Sequence, residues 1–481
     1  MKNFFNVHTF KLNTIYLYIF IISITILHAF TKFLFIGQES LYTDEPYSIF
    51  YAQQSLKAIY NQCLQDSNPP LYLFILHFWI KLFGISSVAA KSLSVVANIG
   101  TALLIIAFAK KYLNTTSLII ASIIFLFSNI QFYYSHEIRT YALLGFFIVA
   151  SFYTYLHVLT KPTQWSLLLL GFINVAILFL HYTAIYMHIA QGISALFYFN
   201  SHRKGFWFYV YSQILSIVLF LPWIHVVFAN TPTGKGWLKS PNIVELKYVL
   251  YTLANNKLNF YVITIVFIIF ILILLFQRKY ISQQFNYKIF ILLTLWFIIP
   301  IFGNFFVSQY FPSFIIRTVL YSSIGLFLLI GYMISSIHYN IYIKYTIILF
   351  ILFICIKQFN IKQHGPENWN KMIPKIKEIK NDNTIIIVSP WWNFKAFSYY
   401  YNRSIFEDFT NTLQLLSNEN IHFVNDSTNI KNIDIINYDT IILLKCRPPV
   451  DNIDAYIESK GLVKNQSAGY MDLQMNMYIK P

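Results

Sequence analysis

Residues 14–45 read TIYLYIFIISITILHAFTKFLFIGQESLYTDE, an apolar run of membrane length followed by a polar loop that ends in two acids. The run from 14 to 36 is too long for a signal-peptide core and lacks a small-residue cleavage site, so we predict a retained first membrane helix. Acids are scarce, because Asp and Glu together make up only 19 of 481 residues. A carboxylate near a bilayer edge is costly to keep, so the pair Asp44-Glu45 indicates a chemical task. A solvated loop acid is the alternative.

Composition places most of the chain in lipid. Hydrophobic residues make up 57% and charged residues 11%, against about 25% charged residues in soluble domains. The net charge of +16 is typical of cytoplasmic loops and contact with anionic membrane lipids. The basic residues are scattered between apolar segments and form no stripe, which argues against a nucleic-acid partner. Three cysteines are too few for a disulfide framework.

Eleven segments have membrane length, and the distribution of basic residues sets their orientation. The segment 70–84 is apolar but only about fifteen residues long, so we predict an interfacial helix there and a second one over 47–64. With the N-terminus in the cytoplasm and 70–84 not crossing, the clustered basic pairs, such as Lys110-Lys111 and Arg203-Lys204, all fall inside. The predicted spans are 14–36, 88–109, 115–134, 138–160, 164–181, 184–199, 206–228, 260–277, 288–308, 316–337 and 341–359.

The last 120 residues have a different pattern. Short β-rich runs at 384–389, 421–424 and 440–445 alternate with polar helical stretches, and Pro366-Glu367 begins a predicted helix through Lys380. The fold class is therefore an α-helical polytopic membrane protein with a small α/β C-terminal domain outside the cytoplasm. We predict a membrane domain over 1–359, with a first outer loop at 37–87, and an extracytoplasmic domain over 360–481.

Polar residues gather at the outer ends of the predicted spans, which suggests one site at the outer membrane boundary. Asp44 is the candidate base for a transfer to a hydroxyl group, and Glu45 would tune its affinity for protons. Asp66 and Asn68 are candidate helix caps or hydroxyl-binding groups. The full set is Asp44, Glu45, Asp66, Asn68, Glu137, Arg139, Tyr141, His181 and Arg317.

Two arginines near helix starts predict an anion site. Ser135 is a candidate N-cap for the fourth span with Arg139 in its first turn, and Pro312-Ser313 precede Arg317 in the same layout at the tenth span. A guanidinium binds phosphate in a bidentate manner, although a single interfacial arginine is often a snorkelling anchor. His181, in a short outer turn, is either a structural hydrogen-bonding residue or a ligand.

Several motifs of other enzyme classes are absent from the sequence. It has no Gly-rich phosphate loop, no His-Glu-x-x-His and no Cys-x-x-Cys, and it lacks the Asp-x-Asp pair of metal-dependent nucleotide-sugar transferases. These absences argue against a cytosolic nucleotide donor, and an outward site needs a donor that reaches it through the membrane.

The motifs resemble glycosyltransferase family 39 and related GT-C membrane glycosyltransferases, which include protein O-mannosyltransferases and the aminoarabinose transferase of lipid A. Residues 41–141 carry the specific part of the resemblance, and the weaker matches beyond it are Leu180-His181-Tyr182, Leu221-Pro222-Trp223 and the stretch from Pro312 to Arg317. Asn368-Trp369 and Tyr399-Tyr400-Tyr401 are similar to the outer domain of many members. The sequence departs from the family pattern in having Asn68 before the Pro-Pro pair, Lys91 in place of an arginine, and Thr318 in place of an aromatic residue.

The resemblance implies an inverting transfer of a hexose or pentose from a polyprenyl phosphate. Asp44 matches the family's catalytic base. Glu45, Asp66 and Glu137 would then position sugar or acceptor, while Arg139 and Arg317 would hold the leaving phosphate. Some relatives bind a divalent metal, but this sequence offers no His/Cys cluster for one, so a metal stays an open expectation and no metal ligand is assigned.

The sequence leaves three alternative functions open. The first is the glycosyltransferase, with a polyprenyl-phosphate-linked sugar, a glycan, lipid or protein acceptor, and membrane lipids as partners, in the inner (plasma) membrane of a bacterium. The second is a lipid-linked glycan flippase or transporter, which would line a path with charged residues deep in its spans. The third is a polysaccharide ligase or polymerase with a diphosphate-linked donor.

Overall fold

A computed structural model describes residues 14–38, 40–41, 44–66, 68–230, 238–338, 340–361, 368–446, 452–470 and 472–481. The chain forms two compact units. The membrane unit comprises residues 1–35, 60–72 and 91–361, and the tail unit comprises 36–59, 73–90 and 362–481. The tail unit thus includes two stretches of the predicted first outer loop. The predicted domain boundary between residues 359 and 360 stays a prediction.

Helices make up the described part of the chain as far as residue 361. They are α1 Thr14–Phe35, α2 Asp44–Ala52, α3 Leu56–Cys63, α4 Leu71–Phe83, α5 Ser87–Tyr112, α6 Thr115–Leu126, α7 Asn129–Tyr134, α8 Tyr141–Thr160, α9 Gln164–Leu180, α10 Ile185–Leu196, α11 Arg203–Phe220, α12 Ile224–Ala229, α13 Ile243–Leu253, α14 Lys257–Phe276, α15 Tyr287–Val307, α16 Ile316–Val319, α17 Ser322–Ser336 and α18 Ile341–Gln358.

The predicted fold class is confirmed. Helices occupy each of the eleven predicted segments, and within the described residues six of them are long and apolar enough to cross a bilayer. The helix α4 has 13 residues, fewer than a span needs. The predicted helix over 47–64 is two helices, because the Ser55 hydroxyl accepts a hydrogen bond from the Ala58 amide (3.2 Å) and caps a new helix, α3.

Polar networks and small residues join the helices of the membrane unit. Ser151 of α8 donates to Asn174 of α9 (2.6 Å), and Gln191 of α10 donates back to Ser151 (2.7 Å). Side chains that satisfy one another's hydrogen-bonding groups in this way hold helices together where the surroundings are apolar. Gly205 of α11 lies so close to α8 that an added Cβ would stand 2.0 Å from the Leu159 carbonyl oxygen.

The tail unit contains a mixed five-stranded sheet in the order β2-β1-β3-β5-β4. Strands β1, β2 and β3 are parallel, and β4 and β5 form an antiparallel hairpin that pairs with β3 through β5. The elements are α19 Trp369–Ile379, β1 Thr384–Ser389, α20 Phe394–Tyr401, α21 Arg403–Glu407, α22 Thr412–Asn418, β2 Ile421–Phe423, α23 Ser427–Ile430, β3 Thr440–Cys446, α24 Ile453–Ser459, β4 Val463–Tyr470 and β5 Leu473–Ile479.

Hydrophobic clusters cover both faces of this sheet. Helices α19 to α22 contribute Trp369, Phe397, Ile405 and Leu416 to one cluster. Helices α23 and α24 contribute Ile430 and Ile457 to the other. Every residue of β1 is buried, as expected of a parallel strand covered on both sides.

The structure confirms some of the predicted tail elements and adds others. The three predicted strands are present. The helix predicted to begin at Pro366-Glu367 is described from Trp369, and its predicted start lies outside the described residues. The hairpin β4–β5 was not predicted, because β4 is a mostly exposed edge strand whose polar residues lack the β-branched and aromatic enrichment of a strand signal.

We expect Gly205→Ala to destabilise the membrane unit by about 1–3 kcal/mol, because its Cβ would overlap the backbone of α8. Gly192→Ala is the matched control, since its Cβ would stand 3.5 Å from the Tyr209 hydroxyl, an ordinary contact. Thermal unfolding of the purified protein in detergent measures both variants. Equal midpoints for the two variants would show that the α8–α11 contact is less tight than described.

Candidate active site

The loop between α7 and α8 carries Glu137 and Arg139, and hydrogen bonds to three other parts of the membrane unit hold it. His136 Nε2 donates to the Lys32 carbonyl (2.8 Å), and Ser94 donates to the Glu137 carbonyl (2.5 Å). Thr140 donates to the Leu180 carbonyl (3.1 Å). These bonds tie the loop to α1, α5 and the end of α9, so Glu137 and Arg139 stand on a fixed backbone.

The predicted cap at Ser135 is wrong. Ser135 ends α7 and donates its hydroxyl to the Phe132 carbonyl (2.6 Å), so its side chain turns back toward the preceding helix. The next helix, α8, begins only at Tyr141. Arg139 therefore lies in the loop before the span and not in its first turn. The predicted anion site on the helix amides behind Ser135 is wrong for the same reason.

The predicted layout at Arg317 is also corrected. Ser313 hydrogen-bonds to Asn304 (2.8 Å) and does not cap a helix at Arg317. Arg317 belongs to the four-residue helix α16, ahead of the span α17. The next residue, Thr318, fixes this turn, because its hydroxyl accepts from Asn304 (2.9 Å) and its carbonyl accepts from Thr183 (2.8 Å).

The membrane unit brings five of the predicted residues together. The Arg317 guanidinium carbon lies 6.0 Å from the centre of the Tyr141 ring, and the rings of Tyr141 and His181 are 6.1 Å apart. Burial and the positive charges of Arg139 and Arg317 lower the pKa of His181 to about 4. Glu137 and Arg317 both lie within electrostatic reach of Tyr134. We call Glu137, Arg139, Tyr141, His181 and Arg317 the arginine cluster.

His181 is a neutral polar group in this cluster. It lies between α9 and α10, and its Nδ1 is 3.3 Å from the Thr183 amide nitrogen and 2.8 Å from the Thr183 hydroxyl oxygen. An uncharged imidazole beside two arginines suits binding of an anion or a hydroxyl better than acid–base exchange near pH 7.

Asp66 and Asn68 belong to the same unit. The Asn68 amide donates to the Asp66 carboxylate (3.0 Å), and neither residue is part of a helix. Burial, together with the nearby Cys63 and Asp66, raises the pKa of Tyr182 to about 12. Asp66 is thus close to the turn that holds His181, which agrees with a role in binding a polar substrate.

Asp44 and Glu45 begin α2 and belong to the tail unit. Asp44 is half-buried and Glu45 is only 1% exposed. Acids in the first turn are favoured by the helix dipole. Burial raises the pKa values of Tyr399 and Tyr400, and the Glu45 charge adds to both effects. The Tyr400 hydroxyl also accepts a hydrogen bond from the Leu41 amide (2.6 Å), just ahead of the helix.

Two buried lysines were not singled out from the sequence. Lys32 is 0% exposed, and its ammonium nitrogen lies 4.3 Å from the centre of the Phe132 ring. Burial, with the charges of Lys32 and Lys91, lowers the pKa of His136 to about 4, so His136 is neutral when it donates to the Lys32 carbonyl. Lys32 could have been singled out from the sequence, because it is a lysine inside a predicted apolar span. Lys395, in the tail unit, had no such signal, because it lies outside the predicted spans, where lysines are common.

The described residues give no set of metal ligands. Among them, no three His, Cys, Asp or Glu side chains come close enough to hold an ion. The divalent metal stays a prediction, and we derive no step through one.

Comparisons with known proteins agree with this architecture. Residues 67–225 match the family described as dolichyl-phosphate-mannose-protein mannosyltransferase. The structure of ArnT from Cupriavidus metallidurans bound to undecaprenyl phosphate is similar at a TM-score of 0.59 and 9% identity, covering 95% of this chain and 97% of that one. No curated protein sequence gives a significant match.

Two further structures are similar at lower scores, and we base no argument on them. The apo state of the same ArnT has a TM-score of 0.47 at 9% identity, covering 95% of this chain and 97% of that one. The oligosaccharyltransferase of Archaeoglobus fulgidus, tethered to an acceptor peptide, has a TM-score of 0.46 at 9% identity, covering 89% of this chain and 69% of that one. The family match and the ArnT fold confirm the resemblance predicted from the sequence.

We expect acidification to cost this protein stability through His181. Its folded pKa of about 4 lies below the usual 6.5, so the unfolded chain takes up the proton first as pH falls. The stabilising contribution of neutral His181 is complete above pH 6.5 and is lost as pH falls toward 4. His181→Asn should therefore lose less melting temperature than the wild type between pH 7 and pH 4.5. An identical loss in both proteins would refute this assignment.

Proposed function

We propose that this chain is an inverting membrane glycosyltransferase. Its residues 67–225 match the dolichyl-phosphate-mannose-protein mannosyltransferase family, and its fold is similar to that of GT-C enzymes. It moves one sugar from a polyprenyl phosphate to an acceptor hydroxyl at the outer face of the membrane. The observation that carries the proposal is the arginine cluster, in which Arg139 and Arg317, distant in sequence, converge on His181.

The reaction needs a base, an acceptor and a stabilised leaving group. The acceptor oxygen attacks the anomeric carbon on the face opposite the phosphate, and the bond between that carbon and the phosphate oxygen breaks. The acceptor proton passes to the Asp44 carboxylate, and the electron pair of the broken bond leaves with the polyprenyl phosphate. Configuration at the anomeric carbon is inverted, because there is a single displacement.

The arginine cluster supports the leaving-group part of this reaction. Two guanidinium groups match the geometry of phosphate oxygens, and charge develops on those oxygens as the bond breaks. His181 adds an uncharged imidazole. Glu137 is 4% exposed, and a buried carboxylate in the same cluster limits its excess positive charge.

The remaining predicted residues are assigned to sugar and acceptor. Glu45, Asp66 and Asn68 offer carboxylate and amide groups, which bind sugar hydroxyls. Tyr141 packs its ring against His181 and Arg317 and fixes the orientation of both. The acceptor is a glycan, a lipid or a protein that carries a free hydroxyl.

The placement of basic loops supports the proposed orientation. The N-terminus and the pairs Lys110-Lys111 and Arg203-Lys204 face the cytoplasm, and the tail unit lies in the periplasm of a bacterium with the chain in its inner membrane. Alkaline phosphatase fused after Pro481 tests this, because the enzyme is active only outside the cytoplasm. An inactive, stably expressed fusion would refute the orientation.

We expect Asp44→Asn to lower the transfer rate by about 10²–10⁴-fold, because the amide cannot accept the acceptor proton. Asp382→Asn is the matched control, an exposed acid in the same unit whose loss should leave the rate unchanged. Transfer is measured as sugar released from the native lipid donor by purified protein in detergent. Near-normal transfer by Asp44→Asn with intact expression would remove Asp44 from the role of base.

We expect Arg317→Lys to lower the transfer rate about tenfold and Arg317→Ala to lower it further, because lysine keeps the charge but loses the two-pronged donor geometry. Arg203→Lys is the control, an exposed arginine near the ring of Phe199. The decisive measurement is the affinity for polyprenyl phosphate without sugar, the product of the reaction. Unchanged product affinity in Arg317→Ala would show that this residue does not hold the phosphate.

The same assays separate the two other functions. A flippase or transporter would move lipid-linked glycan across liposomes and form no glycosyl product. A ligase or polymerase would release a polyprenyl diphosphate, whereas the proposed enzyme releases the monophosphate. Mass spectrometry of the released lipid distinguishes these outcomes directly.

A further inference from the structure

Lys395 is a buried cation surrounded by aromatic rings. It is the second residue of α20 in the tail unit and is only 5% exposed. Its ammonium nitrogen lies within 6 Å of five ring centres, at 4.2 Å for Phe394, 5.3 Å for Tyr47, 5.5 Å for Tyr51, 5.7 Å for Trp391 and 5.8 Å for Phe50. Distances of this size place the charge within reach of the negative ring faces.

Three of these five rings belong to α2, the helix that begins with Asp44. Tyr47 follows Asp44 by three residues and Tyr51 follows Tyr47 by four, so the three positions share one face of the helix. Lys395 contacts this face through both tyrosine rings. The lysine therefore joins the α/β domain to the helix that carries the candidate base.

Other aromatic contacts join the same two parts of the tail unit. The Phe50 ring lies 5.6 Å from Phe394, 5.4 Å from Phe406 and 4.9 Å from Phe409. Tyr51 packs 5.8 Å from Phe409. These contacts bury apolar area, and a methionine or leucine at position 395 would fill the same space without a charge.

The charge at position 395 therefore needs its own explanation. Taking an ammonium group out of water is costly, and cation–π contacts offset part of that cost. Cation–π attraction depends on the position of the charge over each ring, so a charge that reaches rings of α2, of α20 and of Trp391 ahead of α20 fixes their mutual arrangement. An apolar side chain would permit sliding that the ammonium group opposes.

We propose that Lys395 is a positioning residue that fixes the orientation of α2, and with it Asp44 and Glu45, on the α/β domain. The C-terminal domain is then a part of the catalytic apparatus and not only an attached binding module. The consequence for transfer rests on the proposed function, whereas the consequence for the order of α2 does not.

The test compares Lys395→Met, Lys395→Arg and Lys377→Met in the full-length protein. Methionine keeps the length of the side chain without charge, and arginine restores a cation that stacks on rings. Lys377 is the matched control, because it is exposed and lies 5.0 Å from the ring of Tyr401, with both residues in the α/β domain. Amide hydrogen exchange over residues 45–52 reports the order of α2, and kcat and KM for the native lipid donor report transfer.

We expect Lys395→Met to speed exchange in α2 about tenfold and to lower kcat with KM for the donor unchanged. Lys395→Arg should restore both, and Lys377→Met should alter neither. Wild-type exchange in Lys395→Met would overturn the proposal, as would failure of the arginine variant to restore what methionine loses. If exchange rises in Lys395→Met while Asp44→Asn stays active, Lys395 orders α2 as proposed, but Asp44 is not the base.

Discussion

The bilayer supplies no hydrogen-bond partners for the backbone, and this constraint organises the membrane unit. Helices satisfy their own amides and carbonyls, so the apolar segments are helical and most irregular backbone is displaced to the ends of spans. The loop 135–140, the turn at 181–184 and the short helix α16 are such ends. Each has polar groups that need partners, and hydrogen bonds through Thr140, Thr183 and Thr318 link them to one another or to the end of a neighbouring helix. The arginine cluster stands on this connected framework.

In the tail unit the main constraint is different, because the short helix α2 buries too few of its own side chains to be ordered without partners. Helix α2 has nine residues, too few to be stable in isolation. Aromatic contacts from α20, α21 and the following loop bury its face, and Lys395 lies among its rings. The order of the acid pair thus depends on a domain more than 300 residues away in sequence.

The sequence predicted the helical segments well because membrane length and apolarity are local properties. It placed the three parallel strands correctly for the same reason, since β1 and β3 are short runs of mostly buried Ile, Val and Leu and β2 carries Ile421 and Phe423. The prediction failed where a few residues are compatible with two local structures. Ser135 has the composition of an N-cap but bonds backwards to Phe132, and β4 is an exposed edge strand whose residues are mostly polar. Propensity cannot decide such cases, because a hydroxyl has a partner available on either side.

The sequence by itself determined which polar residue types stand near the ends of the spans: two acids after the first span, an acid and an arginine after α7, a histidine after α9 and an arginine before α17. These residues are costly near lipid, so their presence was informative without any coordinates. Only the tertiary structure decided that Arg139 and Arg317 both lie near His181, and that Lys395 lies among the aromatic rings of the helix that begins with the acid pair. Contacts between residues hundreds of positions apart depend on how helices pack, and packing is a property of many side chains together that no single segment encodes.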